Sequence, residues 1–327
     1  MKREKILFFA VLILASALVA VVLLSGQDRK EAEPNYYSQH ESAFPSEIRS
    51  YPVPEEVTFG GEKIPLDRWD MRERFDRELN TFAYLHATTM LYFKRANRFF
   101  PIIEPILKRY GIPDDFKYLC LIESNLDPRA ISPAKAAGLW QFMESTGKSY
   151  GLEITSDVDE RYHAERATEA ACRYFADARR IYGDWFTAAA AYNAGTGRIS
   201  SELQNQMADS ASDLLLVPET SRYVFRILAI REIFENPHKY GFFLKKEDLY
   251  PLIPTQKVEV SRSITSMAAF ARDYGLNYFQ LKEFNPWLRS DKLTVAAGKV
   301  YYLDVPNPED LKVKPSKTKV YDERWVK

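Results

Sequence analysis

Between Leu66 and Tyr240 the apolar residues recur at the spacing of α-helices, and no strand signal of any length interrupts them. The pattern predicts helices near residues 67–80, 84–98, 101–110, 114–125, 139–150, 164–182, 184–194 and 220–236. Asp114 and Asp184 are suitable N-caps for two of these helices, and Gly195 is a suitable C-cap. The sequence therefore predicts a compact all-helical domain over residues 66–240.

After Pro254 the pattern becomes that of a small mixed unit. "QKVEVS" alternates like a strand, "ITSMAAFARDYG" and "YFQLKEFN" have helical periodicity, and "GKVYYLDV" is a closing strand. These segments predict a β-α-α-β unit over residues 255–306. A charged and Pro-interrupted tail follows over residues 307–327, and we expect it to be loosely ordered.

The N-terminus carries an uncharged apolar run, Ile6–Leu24, directly after Lys2, Arg3 and Lys5. As a helix the run would be about 28 Å long, close to the thickness of a bilayer core, with its positive flank in the cytoplasm. "LLSGQ" is a poor cleavage site. We predict an inner-membrane anchor over residues 6–24 with the rest facing the periplasm; a cleaved signal and release into the periplasm remain the alternative. Residues 28–65 are polar and Pro-rich at their start and are predicted to be a linker.

Charge and cysteine content argue against several classes of protein. The chain has 45 Lys and Arg against 45 Asp and Glu, so it carries no electrostatic footprint for nucleic acid. Cys120 and Cys172 match no metal-ligand spacing, and the four histidines form no ligand constellation, so neither a metal nor a cofactor is expected. We predict two buried free thiols; one disulfide between them is the alternative in an exported domain.

Glu123 lies in the middle of an apolar helix face that it shares with Phe116 and Cys120. An ionised carboxylate that leaves water without a partner costs several kcal/mol, so its position needs a reason. Apolar surroundings raise the pKa of a carboxyl, which lets it carry a proton near pH 7 and act as a general acid. The alternative is a buried glutamate neutralised by an arginine such as Arg129 or Arg173.

Four stretches of the chain together resemble the motifs of the lytic transglycosylases of glycoside hydrolase family 23. They are "IES" at Glu123, "AAGLWQFM", "AYNAG" and a downstream tyrosine in "PETSRYVFRIL". With "DVDER" between them, their order is similar to the branch of the membrane-bound lytic murein transglycosylase D type. The resemblance covers about Phe75 to Phe234. It implies a goose-type lysozyme-like helical fold and peptidoglycan glycan strands as the substrate.

The resemblance also implies a mechanism with one catalytic residue. Glu123 would protonate the leaving oxygen of the MurNAc-GlcNAc β-1,4 bond and then accept the proton of the C6 hydroxyl, giving a 1,6-anhydro product. No motif supplies a second carboxylate, and Asp127 is expected to be a capping or surface residue. The resemblance implies three groups of residues around the substrate. Ser124 lies beside the acid, and Gln141, Phe142 and Met143 line the groove. Tyr192, Asn193 and Tyr223 support the acid or an N-acetyl carbonyl.

The C-terminal unit resembles a LysM module, including Asn285 and Pro286, but has "SRSIT" (261–265) where the family has Gly-Asp-Thr-Leu. The fold is therefore expected, while glycan binding by the module stays open. Three other interpretations of the whole chain also stay open. They are a hydrolytic muramidase with a separate water-activating base, a non-catalytic peptidoglycan-binding protein, and a scaffolding membrane protein.

Overall fold

The computed structural model describes residues 48–312, 314 and 317–327, of which residues 50–327 form one compact unit. Its α-helices are α1 (Trp69–Tyr84), α2 (His86–Arg109), α3 (Phe116–Ser124), α4 (Glu144–Ser149), α5 (Ala164–Tyr182), α6 (Trp185–Ala194), α7 (Thr196–Asn205), α8 (Pro218–Glu235), α9 (Met267–Asp273) and α10 (Tyr278–Phe284). Its strands are β1 (Val57–Phe59), β2 (Glu62–Ile64), β3 (Thr255–Val260) and β4 (Tyr301–Pro306). The predicted mainly α class with a β-α-α-β module is confirmed.

The predicted membrane segment, residues 6–24, lies outside the described residues. In the part of the chain that the structure covers, every helix is too short or too polar to span a bilayer.

The short helix α3 lies at the centre of the helical core, packed against α2 and α8. The ring of Phe116, at its start, lies 4.3 Å from that of Phe175 and 5.3 Å from that of Phe59, measured between centroids. Buried side chains surround the helix on several sides, so it cannot shift without disturbing its neighbours. The residue at its C-terminal end is therefore held in a fixed place.

Helix boundaries depart from the prediction where local propensity and packing disagree. The helices predicted at 84–98 and 101–110 are one helix, α2, which continues through Pro101 and Pro105. Proline inside a helix removes a hydrogen bond and costs about 3 kcal/mol. Buried Phe100 and Ile103 continue the apolar face across this point, and their burial offsets the cost. Helix α7 was not predicted.

The linker predicted over residues 28–65 is wrong for its described end. Strands β1 and β2 form an antiparallel hairpin in which Val57 pairs with Ile64, and Phe59 is fully buried. Gly60 makes the turn with a φ of +58°, and a Cβ there would lie 2.4 Å from the ring of Trp185. The Gly-Gly pair between Phe59 and Glu62 was the available turn signal.

The expectation of a loosely ordered tail is also wrong for residues 317–327. Trp325 is 1% exposed, its ring lies 5.3 Å from that of Phe234, and its Nε1 donates to the Phe234 carbonyl at 3.1 Å. Val326 forms a parallel bridge with Leu244. One aromatic anchor in an otherwise charged segment fixes the end of the chain to the helical core, and average composition does not reveal it.

The β-α-α-β module packs directly on the helical domain. Its strands β3 and β4 pair antiparallel from Thr255 opposite Pro306 to Val260 opposite Tyr301. Backbone hydrogen bonds join it to the "DVDER" segment: Asp159 N donates to the Trp287 carbonyl at 2.8 Å, and Arg289 N donates to the Asp157 carbonyl at 2.8 Å. The module is thus attached through main-chain pairing as well as side chains.

Replacing Trp325 by alanine should destabilise the whole helical domain, because it empties an aromatic site at the core. We expect the free energy of unfolding to fall by about 3–5 kcal/mol. Denaturant unfolding measures this change. Trp69→Ala is the matched control, since Trp69 is 74% exposed and its loss should change stability by no more than about 0.5 kcal/mol. Equal, small effects of both substitutions would mean that the tail is not anchored.

Candidate active site

Glu123 occupies the last turn of α3, directly before a sharp change of chain direction. Asn125 ends the helix in the left-handed conformation with a φ of 55°, and Leu126 follows with a φ of 52°. Helix α2 holds this exit: Tyr92 Oη donates to Asn125 Oδ1 at 2.6 Å, and Arg95 Nη1 donates to the Asn125 carbonyl at 2.9 Å. The carboxylate is thereby positioned by a helix end that two neighbouring side chains lock.

The Glu123 carboxylate is partly buried and hydrogen-bonded to a tyrosine. Tyr223 Oη, on α8, donates to Glu123 Oε1. The two arginines considered as ion-pair partners lie elsewhere: Arg129 pairs with Glu283 at 2.5 Å, and Arg173 donates to the Tyr150 carbonyl. Among the described residues, no Lys, Arg or His forms an ion pair with Glu123. A neutralised structural glutamate is therefore not what the fold contains.

Burial raises the pKa of Glu123 to about 7. The hydrogen bond from Tyr223 and the positive charge of Arg226 lower that pKa, and the negative charge of Glu219 raises it, but burial outweighs them. The position in the last turn of a helix acts in the same direction as burial, because helix C-termini disfavour negative charge. The group can therefore carry a proton at neutral pH and release it to a stronger acceptor.

The "AAGLWQF" segment forms a tight loop rather than the start of the helix predicted over 139–150. Gly138 has a φ of +77°, and a Cβ there would lie 1.8 Å from the carbonyl oxygen of Arg161. Gln141 also has a positive φ, 49°, and its Nε2 donates to the carbonyls of Gly138 at 2.8 Å and Ala130 at 3.2 Å. The Gln141 side chain thus holds the loop together from inside.

Tyr192 and Asn193 lie at the C-terminal end of α6. Tyr192 Oη donates to the Trp140 carbonyl at 2.6 Å, so it fixes the "AAGLWQF" loop rather than bonding to Glu123 directly. Its ring packs 4.9 Å from that of Phe175. Thr220 Oγ1 donates to Asn193 Oδ1 at 2.9 Å. The amide oxygen of Asn193 is thus engaged, and its amide nitrogen points away from Thr220.

The remaining predicted site residues differ in how far they reach the surface. Ser124 is buried, and its Oγ donates to the Cys120 carbonyl of its own helix at 3.2 Å. Phe142 is buried with its ring 5.9 Å from that of Tyr192, whereas Met143 is 44% exposed. Asp127 pairs with Arg95 at 3.6 Å and accepts a hydrogen bond from the Arg129 backbone at 2.9 Å. It is therefore engaged in capping.

Three residues around the acid were not predicted. Thr220 orients Asn193, the backbone of Trp140 accepts from Tyr192, and Arg226 influences the Glu123 carboxyl by its charge. A backbone carbonyl leaves no trace in the sequence. Arg226 could have been found, since it follows Tyr223 by three residues and so shares its helix face.

Both cysteines are buried free thiols, as predicted. In the described part of the chain, no group of three or more His, Cys, Asp and Glu side chains is arranged to hold a metal ion.

Two families of known domains match this chain. Residues 100–215 match the Transglycosylase SLT domain, and residues 256–309 match the soluble lytic transglycosylase C-terminal LysM-like domain. The resemblance predicted from the motifs is therefore confirmed: the chain has an SLT domain followed by a LysM-like domain.

Individual proteins and one solved structure are also similar to this chain. The chain is 32% identical over 241 residues to membrane-bound lytic murein transglycosylase D of Escherichia coli K12, a match that covers 72% of this chain and 51% of that protein. It is 30% identical over 121 residues to membrane-bound lytic murein transglycosylase F of Salmonella typhi, covering 34% and 24%. A solved structure, the 70 kDa soluble lytic transglycosylase of Escherichia coli, aligns with a TM-score of 0.32 and 23% identity over 52% of this chain and 28% of that one. The chain thus spans about half the length of the first of these relatives.

Glu123→Gln should make the protein more stable than the wild type at alkaline pH. The pKa of this carboxyl is about 7 in the folded protein and 4.5 by its ordinary value, so the folded state binds the proton more tightly than the unfolded chain. Its contribution to stability is therefore present below pH 4.5 and declines as the pH rises to about 7. The glutamine variant escapes this loss, and we expect a gain of about 1–3 kcal/mol at pH 8 and little change at pH 4.

Urea unfolding at the two pH values measures the difference. Glu309→Gln, which alters an exposed glutamate paired with Lys312, serves as the control and should show no such pH dependence. A glutamine variant less stable than the wild type at pH 8 would show that the ionised carboxylate supports the fold.

Proposed function

We propose that this chain is a peptidoglycan lytic transglycosylase that cleaves the MurNAc-GlcNAc β-1,4 bond without water, with Glu123 as its single acid and base. The observation that carries the proposal is a carboxyl with a pKa of about 7, held by Tyr223 within an SLT domain. Glycoside cleavage requires a proton at the leaving oxygen while positive charge develops on the sugar. A carboxyl that is protonated near pH 7 is suited to deliver it.

In this reaction one residue, Glu123, both supplies and recovers the proton. Glu123 gives its proton to O4 of the leaving GlcNAc as the C1–O4 bond breaks. The C6 hydroxyl of the same MurNAc residue then bonds to C1 and passes its proton to Glu123, which restores the acid. The product is a 1,6-anhydro-MurNAc end and no water is consumed. Intramolecular attack also carries a large entropic advantage over attack by a separate molecule.

The neighbouring side chains have separate roles in this proposal. Tyr223 orients the carboxyl of Glu123, and the free amide nitrogen of Asn193 donates to the N-acetyl carbonyl beside C1. Tyr192 acts through the Trp140 carbonyl by fixing the loop that carries the groove residues. Of those, exposed Met143 contacts the sugar, while Gln141, Phe142 and Ser124 support the groove from behind.

Hydrolysis of the same bond is the second candidate, and one residue favours it. Glu219 is exposed, lies one helical turn before Tyr223 on α8, and is close enough for its charge to raise the pKa of Glu123. A carboxylate in this region is what a water-activating base would require. The products of the two reactions differ by one water, so mass separates them.

We further propose that the protein acts in the cell envelope, anchored in the inner membrane by residues 6–24 and facing the periplasm. The charge pattern around that segment and the membrane-bound relatives support this placement. Peptidoglycan strands are the partner that both matched domains imply. In the LysM-like module, Ser263 Oγ of the "SRSIT" segment accepts a hydrogen bond from Val295 N at 2.9 Å. Glycan binding by the module would use this loop in place of the Gly-Asp-Thr-Leu of the family.

Digestion of purified peptidoglycan followed by mass spectrometry tests the proposal. Wild-type protein should release muropeptides that are one water lighter than hydrolysis products, and Glu123→Gln should release none while remaining folded. Glu219→Gln should keep the product mass unchanged. Products of full hydrolytic mass would instead establish a muramidase, and retained activity in Glu123→Gln would overturn the assignment of the acid.

The pH dependence of kcat/KM should report the Glu123 proton. Activity is expected to fall as the pH rises through about 7, because the ionised carboxyl cannot donate. Tyr223→Phe removes the hydrogen bond that lowers this pKa, so the alkaline limb should move upward by roughly one pH unit. Tyr182→Phe, which removes a hydroxyl bonded to the Thr196 carbonyl, is the matched control. A limb that stays in place in Tyr223→Phe, or moves downward, would contradict this account of the site.

A further inference from the structure

A depression lies between α1 and α8, and its lining includes Arg222 and Arg226, which stand on either side of Tyr223, the hydrogen-bond partner of Glu123. It has a volume of about 490 Å³. Its walls are formed by the end of α1 and the start of α8. The lining residues are Glu78, Thr81, Phe82, Leu85, Pro218, Glu219, Arg222 and Arg226. We call it the α1–α8 cleft.

The two arginines of the α1–α8 cleft differ in their charge partners. Arg222 is neutralised by the fully buried Glu78, through Nε to Oε1 at 2.7 Å and Nη2 to Oε2 at 3.0 Å. Arg226 has no ion pair or hydrogen bond to any residue in the part of the chain that the structure describes. Its guanidinium lies 5.9 Å from the ring centroid of Phe82, an apolar neighbour that does not balance the charge fully.

Arg226 faces the same region as the acid. Glu219, Tyr223 and Arg226 are spaced at i, i+4 and i+7 on α8 and therefore share one face of the helix. Tyr223 on that face bonds to Glu123. The charge of Arg226 is felt at Glu123 and lowers its pKa.

Glu219 lines the same cleft but forms no ion pair with Arg226. The unpaired cation therefore works against the reaction unless something neutralises it. It makes the acid ionise more readily, and it opposes the positive charge that develops on the sugar. Guanidinium groups bind carboxylates through two parallel hydrogen bonds, and such charge-assisted bonds are strong in partly buried sites. A carboxylate carried by the substrate would neutralise Arg226. It would thereby remove both effects, on the acid and on the sugar, and only while the substrate is bound.

We propose that the α1–α8 cleft binds a carboxylate on the muramyl side of the substrate through Arg226. The inference rests on the proposed function, since it names which part of the glycan strand the site recognises. A muramyl residue supplies such a carboxylate from two sources. One is the lactyl group on C3 of a strand that has lost its peptide; the other is a carboxylate of the attached peptide stem.

The test compares wild type and Arg226→Gln on three forms of one substrate. They are strands with intact stems, strands stripped of stems by an amidase, and stripped strands whose lactyl carboxylates have been converted to amides. Wild-type kcat/KM should be at least about tenfold lower on the amidated strands than on the form whose carboxylate is recognised, the size expected for one charged hydrogen-bonded pair. Arg226→Gln should show no such difference between the forms.

The pattern identifies the source of the carboxylate. A loss in Arg226→Gln on stripped strands assigns the lactyl carboxylate, and a loss on intact strands assigns the stem. Arg226→Lys should recover part of the preference, because it keeps the charge but not the fork. Arg180→Gln, at an exposed arginine on α5, is the control for loss of a surface charge. An equal loss on all three forms, or no loss on any, would overturn the proposal.

Failure of the proposed function gives a different result. If the wild type releases no anhydro products from any form, the transglycosylase assignment fails. The cleft is then tested by binding of intact, stripped and amidated strands to Glu123→Gln with and without Arg226→Gln. Tighter binding of the carboxylate form that depends on Arg226 would support the cleft, and its absence would reject it.

Discussion

The buried ion pair between Asp159 and Arg161 connects the parts of the molecule on which the site depends. Arg161 Nη2 lies 2.7 Å from Asp159 Oδ2, while its Nη1 donates to the carbonyls of Phe142 at 3.2 Å and Lys135 at 3.0 Å. The backbone of Asp159 bonds to Trp287 of the LysM-like module. One guanidinium therefore braces the "AAGLWQF" loop and the surface that receives the module. Removing one partner of such a buried ion pair costs about 3–5 kcal/mol. The contacts that Arg161 makes to the loop therefore depend on Asp159 as well.

The acid is governed by a balance of opposing effects rather than by burial alone. Complete enclosure in apolar surroundings would keep Glu123 protonated and unable to accept a proton back, whereas full solvation would leave it ionised. The fold places the partly buried carboxyl in the last turn of a buried helix and adds Tyr223 as a donor and Arg226 as a nearby charge, which both lower its pKa. In the proposed reaction Glu123 first gives and then receives a proton, and a pKa of about 7 suits both steps.

The sequence predicted those features that depend on local pattern. Helix α5 spans Ala164–Tyr182 as predicted, Asp184 caps α6 by accepting from Thr187 N at 2.7 Å, and Glu123 lies at the end of α3. The hairpin at Gly60 was missed although its Gly-Gly turn is a local signal. Its packing against Trp185 and the anchoring of Trp325 to Phe234 depend on contacts with residues more than 80 positions away. The partners of Tyr192 and Asn193 were missed for a similar reason, since backbone carbonyls and a single threonine carry no pattern.

The attachment of the LysM-like module bears on what it can contribute. A module on a flexible linker raises the local concentration of enzyme near the wall without fixing its orientation. Here main-chain bonds at Asp157 and Asp159 and ion pairs from Arg129 to Glu283 and from Lys257 to Glu165 hold it in one orientation. A cleft of about 620 Å³ lies along this junction and includes Asp127, four residues after the acid. Under the proposed function, a glycan strand that contacted the module would approach Glu123 from a fixed direction, so the module would act on catalysis by aligning the strand.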